Sequence, residues 1–107
     1  MDDFSKSERA ELRRLSGEVH DAELKETLKP LDAAFQKWRD GDLPSGELVE
    51  LIHAFHQGEA RNIWSMYQTL KPPQIVARGL ARGYLQRAQV AEQLRSKLER
   101  LVGLFKG

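Results

Sequence analysis

Residues 45–70, SGELVELIHAFHQGEARNIWSMYQTL, constrain the fold most strongly, because one apolar helical face runs through almost the whole stretch. Its apolar residues recur at spacings of three and four, as in an amphipathic helix. Ser45 is a suitable N-cap, and Lys71-Pro72-Pro73 ends the pattern because the residue before a proline avoids helical geometry. The sequence therefore predicts a helix over residues 46–70, whose stripe consists of Leu48, Leu51, Ile52, Phe55, Ile63, Met66, Tyr67 and Leu70.

A glycine interrupts this stripe. Between Phe55 and Ile63 the apolar face is carried by Gly58, Glu59 and Ala60. A glycine in the middle of a helix costs about 1 kcal/mol relative to alanine. We therefore expect either a bend of the helix near Gly58 or a second backbone that approaches closely there.

The N-terminal part of the chain carries two apolar stripes that are offset by two residues. Ser5 or Ser7 is a suitable N-cap for the first helix. Gly41 is a suitable C-cap for the helix that ends near residue 40. Pro30 disfavours helical geometry at Lys29. We predict helices over about residues 7–28 and 30–40, or one kinked helix in their place. The first stripe is Leu12, Leu15, Val19 and Ala22, and the second is Leu24, Leu28, Leu31, Phe35 and Trp38.

The C-terminal part has a heptad-like alternation that predicts one long helix over residues 73–105. A helix of that length would span about 48 Å, more than the diameter of a globule of this size. Its distal half would then project, and a projecting apolar stripe needs a partner. This is the main sequence argument for an oligomer, with a homodimer as the first choice. The stripe is Ala77, Leu80, Tyr84, Arg87, Ala91, Leu94, Leu98, Leu101 and Phe105.

Composition narrows the class of protein. The 107 residues are 40% hydrophobic and 31% charged, with no cysteine. These values are typical of a folded chain and exclude a disulfide framework or a cysteine nucleophile. The chain has no apolar run of membrane-spanning length, and its start is too polar for a signal peptide. We predict a single cytoplasmic domain over residues 1–107, an all-α bundle of three or four helices with a long C-terminal helix and coiled-coil-like packing.

The charges are distributed unevenly along the chain. Residues 1–70 carry 9 Lys/Arg against 14 Asp/Glu, a net of −5, whereas residues 71–107 carry 8 against 2, a net of +6. This asymmetry is typical either of a basic arm that binds nucleic acid or of two parts that neutralise each other when packed. We favour mutual neutralisation, because both parts also carry apolar stripes that need partners.

A histidine–carboxylate pattern in the central helix raises the question of a metal site. Glu50 and His53 have the local spacing used in di-iron helical bundles, and His56 follows one step later. Such bundles need a second carboxylate–histidine pair, which the chain does not offer clearly. Successive steps of three residues also drift by about 60° around the helix. A polar flank beside the core stripe is the favoured interpretation, so we predict no metal and no other cofactor.

Two further groups of residues are candidates for binding. A bend near Gly58 can present Arg61, Trp64 and His56 to a protein partner. The apolar stripe of the last helix supplies a second set of partner-binding candidates: Leu94, Leu98, Leu101 and Phe105. The alternative is a nucleic-acid-binding face on the basic last helix, formed by Arg78, Arg82, Lys97 and Arg100. The simpler explanation of Gly79 and Gly83 beside these arginines is a close approach of two helices.

The function favoured by these observations is a non-enzymatic interaction or regulatory module that self-associates and binds a protein partner. A nucleic-acid-associated regulator and a metal-binding helical protein are the alternatives. No phosphate-binding loop, nucleophile elbow or helical zinc-protease motif supports catalysis. The residues carry no family signature that we recognise.

Overall fold

The computed structural model describes residues 3–106, which contain helices and no strand. This confirms the predicted all-α class. The elements are α1 (Lys6–Arg39), α2 (Ser45–Phe55), a π-helical turn (His56–Ala60), α3 (Arg61–Thr69), α4 (Pro72–Arg82), a 3-10 turn (Arg87–Gln89) and α5 (Glu92–Lys106). No helix among the described residues is long and apolar enough to cross a membrane.

The chain forms two compact units that share helix α1. Among the described residues, the terminal unit contains 3–22 and 70–106, and the hairpin unit is Glu23–Thr69. The single domain predicted for residues 1–107 stays a prediction, and residues 1, 2 and 107 lie outside the described residues.

Helix α1 is continuous where the sequence left a choice between one helix and two. It starts with a capping box: Glu8 donates its backbone N–H to Ser5 Oγ at 3.1 Å, and Ser5 donates its own to Glu8 Oε1 at 2.9 Å. The helix passes through Pro30 without ending. The separate helices predicted over 7–28 and 30–40 are therefore one helix, as the alternative stated.

Helix α1 ends at the predicted glycine. Gly41 has φ 81°, and the N–H of Asp42 bonds to the carbonyl of Lys37 at 2.8 Å. These are the left-handed residue and the long hydrogen bond of a Schellman cap.

The hairpin unit pairs residues 23–39 of α1 with α2 and α3. Two side-chain hydrogen bonds join its ends: Tyr67 donates to Glu23 Oε1 at 2.8 Å, and Trp38 Nε1 donates to Ser45 Oγ at 2.9 Å. Ser45 was predicted to cap α2, but its side chain makes no capping bond and Pro44 holds the N-cap position. Its hydroxyl accepts the indole N–H instead.

The predicted helix over residues 73–105 is wrong, because the segment forms two helices. Gly83 adopts the left-handed conformation at φ 82°, and Tyr84 donates its N–H to the carbonyl of Gly79 at 2.9 Å. This bond ends α4 at Arg82 in the same way that α1 ends. Helix α5 begins only at Glu92.

The terminal unit contains most of the apolar core. Its connection between α4 and α5 is anchored by Leu85 and Val90, which are buried although neither lies on the predicted heptad stripe. The projecting half-helix on which the sequence argument for an oligomer depended is therefore absent. The buried apolar side chains of this unit are Leu12, Leu15, Val19, Ile75, Val76, Ala77, Leu85, Val90, Leu94 and Leu98.

Candidate interaction surface

The π-helical turn in the hairpin unit forms a groove on the outside of the helix. The groove has a volume of about 450 Å³ and is lined by His56, Gln57, Ala60, Arg61 and Trp64. π-Turns are rare and frequently occur at functional sites. The structure therefore brings Arg61 and Trp64 together with His56, which are the residues that the sequence proposed around Gly58.

Trp64 is the most exposed aromatic side chain of this groove, at 63% of its full accessibility. Tryptophan and arginine are enriched among residues that dominate the energy of protein interfaces. Gly58 itself has open space around it, since no atom lies within 4 Å of the position that a Cβ would occupy. Of the two outcomes expected at Gly58, the close backbone approach is absent, and the helix changes to π geometry over His56–Ala60.

Exposed apolar side chains are concentrated in the hairpin unit. Of seven large apolar side chains that are exposed among the described residues, six lie between residues 23 and 69. The same unit buries three apolar side chains, Ala34, Leu48 and Ile63. Two antiparallel helices thus leave much of their apolar stripe in solvent. The six exposed side chains are Leu28, Trp38, Val49, Leu51, Ile52 and Trp64.

A second, smaller groove runs between α1 and α2 within the hairpin unit. It has a volume of about 260 Å³. Pro30 contributes to its wall, where the helix lacks one backbone donor. The groove shows that the two helices of the hairpin do not fill the space between them. It is lined by Thr27, Pro30, Leu31, Ala34, Leu51, Ala54, Phe55 and Glu59.

A buried carboxylate in the hairpin unit was not identified from the sequence. Glu23 is 5% exposed and accepts the hydroxyl hydrogen bond of Tyr67. The spacing of the sequence could have indicated this burial. Thr27, Pro30 and Ala34 follow Glu23 by four, seven and eleven residues, so all four residues lie on one face of α1. A buried carboxylate needs such partners, so this contact fixes α3 against α1.

The C-terminal residues proposed for partner binding lie in two environments. Leu94 and Leu98 are buried in the core of the terminal unit, whereas Leu101 and Phe105 are half-buried. The predicted seam is thus used largely within the chain. Leu104, which lies off that stripe, is the exposed apolar residue of α5.

The residues of the nucleic-acid alternative do not form one exposed face. Arg78 is 9% exposed, whereas Arg82 and Arg100 are exposed. Lys97 donates to Glu8 Oε1 at 2.7 Å and to the carbonyl of Asp3 at 3.0 Å. The continuous face expected along a single helix is interrupted where α4 ends.

The candidate metal ligands are three exposed side chains, Glu50, His53 and His56. Within residues 3–106 no group of three or more histidine, aspartate or glutamate side chains is placed to hold a metal ion. His56 instead lines the groove beside Trp64.

Comparison of the chain with models of protein families, with curated proteins and with solved structures gave no match. The surface of the hairpin unit is therefore interpreted from its own geometry and chemistry.

Proposed function

We propose that the protein is a non-enzymatic, cytoplasmic helical module that self-associates as a homodimer and binds a protein partner. The observation that supports this proposal is the concentration of exposed apolar side chains in the hairpin unit. The dimer would form when two hairpin units cover each other's apolar faces. The groove beside Trp64 is the first candidate surface for a different protein, which would compete with the second copy for Trp64.

The amount of apolar surface fits a dimer of ordinary size. From their exposed fractions, the six side chains offer on the order of 500 Å² of apolar surface. A stable interface buries about 800 Å² per partner, of which somewhat more than half is apolar. The exposed apolar area of the hairpin unit is thus comparable to the apolar share of one side of such an interface.

A second copy is the occupant that the shape of the hairpin favours. Two antiparallel helices with apolar residues on their outer flanks complete a four-helix bundle when a second pair of helices covers them. A two-fold axis places the same patch on both partners, so one surface serves both sides. The terminal unit, which buries its own apolar residues, would not need to rearrange.

A pair of substitutions tests this interface. Replacing Val49 and Trp64 by glutamine removes the two most exposed apolar side chains of the hairpin unit, at 61% and 63% exposure. Because neither side chain is buried in the monomer, we expect the fold to persist and the dimer dissociation constant to rise about tenfold or more, equivalent to about 1.4 kcal/mol. Sedimentation equilibrium over a range of concentrations measures this constant.

The matched control is Leu104→Gln. Leu104 is 71% exposed but lies in α5, outside the hairpin unit, and its replacement should leave the dissociation constant unchanged. A wild-type chain that stays monomeric at about 100 µM would contradict the proposal. An unchanged dissociation constant in the double variant would contradict it equally.

Tryptophan fluorescence gives an independent measurement on the unmodified protein. Both tryptophans of the chain, Trp38 and Trp64, lie in the hairpin unit and are exposed. Dilution through the dissociation range should therefore shift the emission to longer wavelength as the indoles become hydrated. In a Trp38→Phe variant the remaining signal reports Trp64 alone.

A further inference from the structure

The terminal unit contains a groove that is apolar at its base and basic at its edge. It has a volume of about 600 Å³ and lies between the first turns of α1 and the start of α4. Its apolar residues are Phe4, Leu12, Pro72 and Pro73, and its charged residues are Arg9, Arg13 and Lys71. Among the described residues, the lining thus contains three cations and no carboxylate.

The two glutamates in the first turns of α1 are occupied elsewhere. Glu8 accepts from Lys97 at 2.7 Å, and Glu11 accepts from Arg14 at 2.6 Å. Each is thereby directed to a cation outside the groove. Arg13 and Lys71 lie in the groove without an ion pair to any carboxylate among the described residues. Arg13 and Lys71 therefore present two positive charges to the groove that no carboxylate of the described residues pairs.

The walls of the groove are held by specific contacts. Arg9 Nη1 donates to the carbonyl of Phe4 at 2.7 Å, and Lys97 lies 5.9 Å from the centre of the Phe4 ring. On the opposite wall, Lys71 donates its N–H to Gln74 Oε1 at 2.8 Å. Pro72 and Pro73 have no N–H to offer, so recognition of an anion here depends on the arginine and lysine side chains.

We propose that this groove binds a small organic anion with an aromatic or acyl body. A volume of this size suits a small ligand, and apolar walls with a few well-placed polar groups are typical of such sites. Arg13 and Lys71 would hold the carboxylate or phosphate, since guanidinium groups bind both with paired hydrogen bonds. Leu12 and the prolines would contact the body. The groove belongs to the terminal unit, so this proposal is independent of self-association through the hairpin unit.

Naphthalene-2-carboxylate is a suitable probe because it combines one carboxylate with an aromatic body. We expect its addition to the full chain to shift the backbone amide signals of residues 9–13, 71 and 74 in ¹⁵N NMR spectra, with saturable binding. Neutral naphthalene-2-carboxamide, which lacks the charge, and acetate, which lacks the body, should each bind about tenfold more weakly or worse, a difference of about 1.4 kcal/mol.

Two variants with matched loss of charge complete the test. Replacing Arg13 and Lys71 by glutamine should weaken binding of the carboxylate about fivefold or more, whereas replacing Lys37 and Arg39 in the hairpin unit should not change it. Equal affinity for the carboxylate and the carboxamide would overturn the proposal. So would unchanged binding in the Arg13 and Lys71 variant, or shifts centred on residues 49–64, which would assign the probe to the exposed apolar side chains of the hairpin.

Discussion

Gly79 is the residue at which helix α4 packs tightly against Val19 of helix α1. A Cβ atom at this position would lie 2.5 Å from Val19 Cγ2 and 2.9 Å from Val19 Cγ1. Atoms do not approach that closely without displacement, and valine has little rotamer freedom in a helix. The sequence paired Gly79 with Gly83 as a site of close helix contact. The structure separates their roles, since Gly79 makes the contact and Gly83 ends the helix.

Substitution of Gly79 by alanine should therefore lower the free energy of unfolding by about 1–3 kcal/mol, the usual range for overpacking. Gly17→Ala should instead raise the free energy of unfolding, because Gly17 lies in α1 with nothing within 4 Å of its Cβ position. There, alanine should stabilise the helix by about 0.5–1 kcal/mol. Urea denaturation followed by circular dichroism measures both values.

A second substitution separates overpacking from other effects of alanine at position 79. Val19→Ala removes the two methyl groups that the new Cβ would meet. Val19→Ala should lower the free energy of unfolding less in the Gly79→Ala background than in the wild-type chain, because the alanine Cβ then fills part of the space that the valine methyl groups leave. Strict additivity of the two changes would contradict the contact.

At the scale of elements, helix ends could be predicted where a local residue supplies the missing hydrogen bond. Gly41 was identified in this way, and Ser5 was one of two candidates for the N-cap, with Ser7. Gly83 supplies the same signal, but the apolar alternation continued past it and favoured an unbroken helix. Apolar spacing does not distinguish a stripe that packs within the chain from one that packs against a partner. For that reason Leu94 and Leu98 were assigned to an interface although they lie in the core.

The π-turn has a physical reason in the spacing of the apolar stripe. Phe55 and Ile63 are eight residues apart, and eight residues of α-helix turn about 800°, which leaves the second side chain about 80° off the face of the first. A π-turn accommodates one extra residue. It thereby returns Ile63 to the buried face, where it is observed. The sequence contained this phase shift, but the expected bend was based on Gly58 alone.

Deletion of Gln57 should therefore convert the π-turn into regular α-helix. Gln57 is exposed, and its removal leaves Phe55 and Ile63 seven residues apart, on one face. We expect the free energy of unfolding to stay within about 1 kcal/mol of the wild-type value, because two turns of α-helix accommodate seven residues. The groove beside Trp64 should be lost. Urea denaturation measures the first effect and Trp64 fluorescence the second.

The matched control deletes Ala33, an exposed residue in the uninterrupted helix α1. Here no extra residue is available to absorb the change, so the following side chains rotate by about 100° and the stripe is lost. This deletion should destabilise the hairpin by about 3 kcal/mol or more. Equal losses in the two deletion variants would contradict the interpretation of the π-turn.

At the scale of the whole molecule, the question is how the acidic and the basic parts of the chain are used. The interpretation favoured from the sequence was that they neutralise each other. Lys97, in the basic part, makes such a contact with Glu8, and the two are 89 residues apart in the chain. Lys97 also donates to the carbonyl of Asp3 at 3.0 Å. One lysine thus fixes the start of α1 against α5.

This contact predicts a pH dependence of known sign. The hydrogen bond from Lys97, with a further one from the backbone N–H of Ser5, holds the pKa of Glu8 below its ordinary value of 4.5. A carboxyl whose pKa is lower in the folded state stabilises the fold above the pKa of the unfolded chain, and this contribution is lost as the pH falls through the folded pKa. Lys97→Met should therefore raise the pKa of Glu8 towards 4.5 and reduce the loss of stability on acidification.

Lys106→Met provides the control, because it removes the same charge from the last turn of α5 without a contact to Glu8. NMR titration of the Glu8 side-chain carboxyl measures the pKa in each variant, and urea midpoints on either side of pH 4.5 measure the linked stability. The effect of Lys97→Met on the pKa should persist in moderate salt, since a direct hydrogen bond is screened less than a distant charge. A Glu8 that titrates identically in the wild-type and Lys97→Met chains would contradict a hydrogen bond from Lys97 to Glu8 in solution.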